Sequence, residues 1–183
     1  ASLRALSAVY LHCGIEEADA IFYIAKAMAT VGKTPSDVFH LTHAMVSLLK
    51  APFNPLHDLD TLTDHCGMFM MLLHYTNEPL YAHFHNEDVP FRAYLLDMYR
   101  SCLAKQLHTA DFLRLMDTYL TDGSELGCFP LHTFVCLSVL SMFTEELMEM
   151  DKVQIVAFLR KLPRVDIEVV LQRALALRES VLS

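Results

Sequence analysis

Between Pro130 and Phe143 the chain offers almost no polar face. The run Leu131-His132-Thr133-Phe134-Val135-Cys136-Leu137-Ser138-Val139-Leu140 continues apolar to Phe143. A helix that is apolar all round has to be enclosed, so this segment is expected at the centre of a domain, with other elements wrapped about it. The flanking sequence supplies such elements. Apolar residues recur at helical spacing in Leu3–Cys13, which stops at Gly14, and in Glu16–Val31, which stops at Gly32. In the second of these Ala18, Ile21, Phe22, Ala25 and Met28 share a face. Thr34-Pro35 opens a third helix with Val38, Leu41, Met45, Leu48 and Leu49 inward, and Pro52 and Pro55 break the chain around Phe53.

The pattern continues downstream. A fourth helix from near Asp58 carries Leu59, Leu62, Cys66, Phe69 and Leu73, and Gly67 within it is expected to allow a close helix–helix approach. Asn77–Asn86 reads as a short helix with Pro79 in its first turn. Pro90 opens another with Phe91, Leu95, Met98 and Cys102 apolar. Thr109 is expected to cap a helix bearing Phe112, Leu115, Met116, Tyr119 and Leu120 that ends at Asp122-Gly123. Asp151 caps a penultimate helix ending before Pro163, and Asp166 precedes a last one over Ile167–Leu182. Nothing reads as a strand, and no fixed period repeats. The expectation is an all-α, compact bundle of about nine to ten helices, a single domain over residues 1–183.

Composition agrees. With 54% hydrophobic and 20% charged residues the chain is not disordered, and 183 residues suffice for a core without disulfides or metal. Only 5 glycines leave no phosphate-cradling loop. The net charge of −8 argues against nucleic acid, which draws on clustered Lys and Arg. Arg160, Lys161 and Arg164 read as a solvated helix end. Five cysteines without a CxxC pair (Cys13, Cys66, Cys102, Cys128, Cys136) read as reduced core thiols of an intracellular protein. No apolar run is long enough to span a membrane. There is no signal-peptide anatomy and no initiator Met, so the chain is either processed or part of something longer.

Candidate chemistry is sparse. His40-x-x-His43, His83-x-His85 and His57-Asp58 followed by Asp60 and Asp64 invite a metal, and the His-Asp pair suggests an HD-type metal-dependent phosphohydrolase as a remote alternative. No spacing demands it, and no cofactor is expected. Ser138 and Ser141 lack a nucleophile elbow. The His12-Cys13 and His65-Cys66 neighbours diverge on a helix, and Met68, Met70, Met71, Met98, Met116 and Met142 read as core gap-fillers.

An ordered set of features runs through the chain: Glu16-Glu17-Ala18-Asp19-Ala20-Ile21-Phe22, Pro79-Leu80-Tyr81-Ala82-His83-Phe84, Ala93-Tyr94, Leu113-Arg114-Leu115-Met116-Asp117 through Gly123, and Phe134 to Leu140. In that order it resembles the C-terminal half of a TBC domain, the all-helical module of Rab GTPase-activating proteins, from about Gly14 to Leu177. The resemblance marks Asp19, Phe22, Pro79, His83, Tyr94, Arg114, Asp117 and Gly123 as family positions, mainly structural. Met116 stands where the family usually has Trp, and the chain has no Trp at all.

The resemblance implies a small GTPase of the Rab type, or a larger complex, as protein partner, and a cytoplasmic place, peripheral to membranes through that partner in vesicle trafficking. TBC proteins insert an arginine from I-x-x-D-x-x-R and a glutamine from Y-x-Q, the arginine alone being worth on the order of 10³–10⁵ in rate. Neither motif occurs here: Gln106, Gln154 and Gln172 do not follow a tyrosine by two. The strings Asp97–Arg100 and Asp111–Arg114 lie downstream of the expected place and read as i,i+3 ion pairs. The expectation is therefore a pseudo-GAP, not an enzyme and without catalytic residues of its own. It is either part of a longer protein or a remnant lacking the fingers. The alternative is a helical scaffold subunit of a multiprotein assembly without a GTPase partner, distinguished by a large exposed apolar face and co-purification with non-GTPase chains, and weakly supported by the apolar Leu131–Phe143 helix.

Overall fold

The structure, a computed structural model, describes residues 18–50, 59–122 and 129–182. Ten helices occur among them, and no strand. They are α1 (Ala18–Val31), α2 (Pro35–Lys50), α3 (Leu59–Thr76), α4 (Glu78–Asn86), α5 (Phe91–Ser101), α6 (Thr109–Thr121), α7 (Phe129–Met142), α8 (Thr144–Met148), α9 (Lys152–Arg160) and α10 (Ile167–Leu182). The expected Leu3–Cys13 helix, the Pro52–Pro55 break, Cys13, Cys128 and Gly123 lie outside the described residues. No described helix is long and apolar enough to cross a membrane.

The apolar helix α7 is where its sequence demands. Every side chain from Leu131 to Leu140 is buried, His132, Thr133 and Ser138 included. Its most extensive neighbour is α10, which lies along it and buries Ile167, Val170, Leu171 and Ala174. Ser138 Oγ ties the pair by donating to the Val170 carbonyl at 3.1 Å. Helix α3 packs on α7, α5 and α4, while α1 pairs with α2 and reaches α5 and α6.

Local chemistry sets the helix ends. Gly32 allows the tight α1–α2 corner: a Cβ there would sit 2.8 Å from Val38 Cγ2. Asn77 caps α4 by accepting from the Leu80 N–H at 3.3 Å, and Asp151 and Gln154 form a reciprocal capping box on α9. Asp166 Oδ1 accepts from the Glu168 N–H at 3.1 Å at the start of α10.

Several expectations are corrected. Helix α6 begins at Thr109 itself. His108 holds the cap position without a side-chain hydrogen bond, its carbonyl taking the Phe112 N–H at 2.9 Å. Cys102 is not on the flank of α5 but ends it, in the left-handed region at φ 47°, followed by Leu103 at φ 66°. Neither is glycine, and such backbone costs about 1 kcal/mol per residue. Both side chains are fully buried, and that packing offsets the strain. The inward face of α1 is Ile21, Ile24, Ala25 and Met28, and Phe22 points outward; Leu120 on α6 is likewise exposed. The short α8 was not expected, because five residues with one buried apolar side chain, Leu147, carry no periodicity. Met98 and Met116 are core residues, but Met68 and Met71 lie on the surface. No described helix makes the close approach expected at Gly67: a Cβ built on it meets nothing within 4 Å among the described residues.

Helices α6 and α10 are tied by two ion pairs of different depth. Arg114 grips Glu168 through Nε and Nη2 at 2.6 and 3.1 Å in the open. Arg178 Nη1 donates to both oxygens of Asp122, at 3.0 and 2.7 Å, and only 9% of that aspartate side chain is exposed. Removing the carboxylate of Asp122 leaves a half-buried guanidinium unpaired. Asp122→Ala is expected to cost about 1–3 kcal/mol in urea unfolding, whereas Arg114→Ala should leave the midpoint unchanged.

Candidate functional site

The densest polar cluster of the described chain is buried where α3, α5, α6 and α7 meet. His132 is fully enclosed. Its Nε2 lies 3.2 Å from the Met98 carbonyl, which can only accept, so Nε2 carries the proton. The other nitrogen, Nδ1, then accepts from the Tyr119 hydroxyl at 2.6 Å. Cys136 Sγ, one turn on, sits 3.5 Å from Nε2. Beside it the Tyr99 hydroxyl meets Thr133 Oγ1 at 2.7 Å, the Tyr99 ring stands edge-on to His132 at 5.0 Å and the His65 ring stacks on it at 6.0 Å.

Electrostatically this cluster is held neutral. Burial pushes the His132 imidazole down to about 4 against the favourable Met98 carbonyl, and burial lowers His65 as well. The Cys136 thiol and the Tyr99 phenol are both pushed up, by burial first and by Cys66 in addition. A thiol kept from ionising is a poor nucleophile. The cluster joins three helices through α7 and has the properties of a structural knot. Sequence reading missed it, although a His and a Cys one turn apart in a wholly apolar helix signal buried polar groups in need of partners.

The family positions are spread over the same framework. Asp19 and Tyr94 lie on α1 and α5, Phe22 on the outer side of α1, and Gly123 outside the described residues. Pro79 stands in the first turn of α4. His83 Nε2 meets the Met150 carbonyl at 3.0 Å and so joins α4 to the turn before α9, where Lys152 also contacts Asp88 at 2.9 Å. Arg114 holds Glu168, and exposed Asp117 follows on the same side of α6.

The D-x-x-R strings do not pair as expected. Asp97 takes Lys105 at 2.7 Å, and Arg114 takes Glu168 and Thr118. Lys105, beyond the end of α5, reaches Asp97, and Glu168, on α10, takes Arg114 in place of the i,i+3 neighbour. Cys66, Cys102 and Cys136 are buried. Among the described residues no group of three or more His, Cys, Asp or Glu is placed to hold a metal. His57 and Asp58, on which the phosphohydrolase alternative turned, are not among them.

A stack of helices around a neutral buried cluster defines an all-helical domain. The comparisons say which. The Rab-GTPase-TBC domain family matches residues 11–148; the chain belongs to that family. It is 30% identical over 103 residues to the GTPase-activating protein gyp1 of Schizosaccharomyces pombe, a stretch covering 54% of this chain and 20% of that protein. It superposes on the crystal structure of the Ypt/Rab-GAP domain of Gyp1p with a TM-score of 0.69 at 25% identity, over 80% of this chain and 46% of that one. The chain thus spans a fifth of the curated relative and under half of the solved domain.

These findings overturn the expectation that the protein is not an enzyme. Its relative is a GTPase-activating protein, and its fold is that of a Ypt/Rab-GAP domain. The finger motifs were sought in residues that span only 46% of such a domain, so their absence there carries no statement about activity. The phosphohydrolase alternative gives way to the family match.

The knot has a pH signature. The unfolded His132 takes up a proton below its ordinary value of 6.5, while the folded one resists until about 4. Stability is therefore full above pH 6.5 and falls through the window from 6.5 to about 4, by about 3 kcal/mol in all. His65, also lowered, adds in the same direction. Urea unfolding at pH 7 and pH 4.5 should show the loss, and His132→Gln, though less stable at pH 7, should flatten it.

Proposed function

We propose that this chain forms the C-terminal subdomain of a Rab GTPase-activating domain and works on a Rab-type GTPase in that setting. The observation that carries the reading is the superposition on a Ypt/Rab-GAP domain over 80% of this chain, supported by a family match running from residue 11 to residue 148. In this reading the subdomain supplies a rigid platform. Catalysis of GTP hydrolysis needs its charged and water-aligning groups held within fractions of an ångström, and the described helices, locked through α7, can hold them. The family positions are braces of that platform: His83 fastens α4 to Met150, and Arg114 fastens α6 to Glu168. The protein acts at the cytoplasmic side of membranes, brought there by its GTPase, in vesicle trafficking.

The weak support that the Leu131–Phe143 helix lent to the scaffold alternative is gone, because that helix is buried from Leu131 to Leu140.

The test is phosphate release from a panel of GTP-loaded Rab proteins mixed with the full protein. At least one Rab should hydrolyse GTP well above its intrinsic rate, and Asp122→Ala should lower that stimulation in step with the folded fraction. A panel without stimulation, and without binding of any GTP-loaded member, would contradict the reading.

A further inference from the structure

Among the described residues nothing covers the outer face of α3, which is apolar. Met68, Met71 and Tyr75 follow one another at helical spacing and are 37%, 69% and 79% exposed. Their helix already spends its other face on the core through Cys66, Phe69 and Leu73. Gly67 adjoins the methionines in the middle of the helix, where glycine is less stable than alanine. Nothing within the described chain needs the room it leaves. A missing Cβ beside two adaptable thioethers and an exposed phenol ring is the surface that a second helix can approach closely.

The ends of this ridge are acidic. Asp64 is exposed at one end and Glu78 at the other. Beyond Glu78, Asn77 Nδ2 donates to Thr144 Oγ1 at 2.8 Å and brings α8 alongside, with exposed Glu145 and Glu146 in its first turn. His74, on the same face, turns its ring edge-on to Tyr81 at 4.7 Å. The charge pattern selects the occupant. A second copy crossing antiparallel about Met71 would set Asp64 against the other copy's Glu78, and a parallel copy would set each carboxylate against itself, in a chain already at −8.

We propose that the outer face of α3 docks an amphipathic helix of a protein partner, its apolar stripe lying over Gly67, Met68, Met71 and Tyr75 and its Lys or Arg ends meeting Asp64 and the Glu78–Glu145–Glu146 cluster. This is helix-in-groove recognition with the specificity carried by the ends. It stands apart from the GTPase reading and does not depend on it.

The experiment uses the full protein and two fluorescent synthetic peptides of about 18 residues, five helical turns, sharing one Leu/Ala stripe. One carries Lys at both ends, the other Glu. The Lys peptide should bind, and the Glu peptide at least about tenfold more weakly. Met71→Asp should weaken the Lys peptide about tenfold while moving Tm by less than about 2 °C. That variant adds negative charge, so attraction of Lys to an acidic surface at large would strengthen with it instead. Gly67→Ala should raise Tm and yet weaken binding several-fold, separating docking from folding. The proposal is overturned if neither peptide binds, if both bind equally, or if Met71→Asp leaves the Lys peptide unaffected. It is equally overturned by self-association that Met71→Asp abolishes, which assigns the face to a second copy. A large fall in Tm of Met71→Asp would overturn it too, because the face is then covered by the protein's own chain.

Discussion

The burial of α7 is the constraint on which the rest of the molecule depends. A helix with no polar side can be stable in water only when neighbours cover it all round, and here α10 and α3 lie against it while α5 and α6 reach it through its polar side chains. Those side chains are the hard part of the arrangement. His132, Thr133 and Ser138 are each buried, and each finds a partner on a different helix: Met98 and Tyr119, Tyr99, and Val170. An unpartnered buried polar group costs about 1–3 kcal/mol, so the hydrogen bonds matter less for what they add than for what their loss would cost. They also fix how α5, α6 and α10 sit on α7, which apolar contact alone leaves loosely specified.

The chain belongs to the Rab-GTPase-TBC family, and the proposed work on a Rab-type GTPase would give this architecture its purpose. Activation of a GTPase consists of placing a few groups against a nucleotide that the partner already holds, and placement needs a rigid frame. The features that the family pattern marks in this chain are consistent with framing work: His83 and Arg114 each close a contact between segments distant in sequence. The chemistry of the buried cluster points the same way. A neutral imidazole and a thiol kept from ionising are suited to holding helices together.

Much of the fold was legible in the sequence because helix punctuation is local. Asp166 before Ile167, Asp151 with Gln154, Asn77 before Pro79 and Gly32 after Val31 act within a turn, and the observed ends follow them. What was not legible depends on tertiary partners. Cys102 and Leu103 adopt left-handed backbone without glycine because the core holds them there. Asp97 and Arg114 bypass their i,i+3 neighbours for partners the helix pattern does not encode. Gly67 carries the signal of close helix packing, yet no described helix packs on it. The site suffered most from this. The knot at His132 draws on α5, α6 and α7, and the expectation of no enzymatic activity was drawn from a chain that spans less than half of the related domain.

Native-state hydrogen exchange followed residue by residue tests the central claim about α7 most directly. The amides from Leu131 to Leu140 should exchange only through global unfolding, with the same free energy as urea denaturation, together with those of α10 that face them. Exchange of the α7 amides by local opening, at a free energy below that of the short peripheral helices α4 and α9, would contradict it.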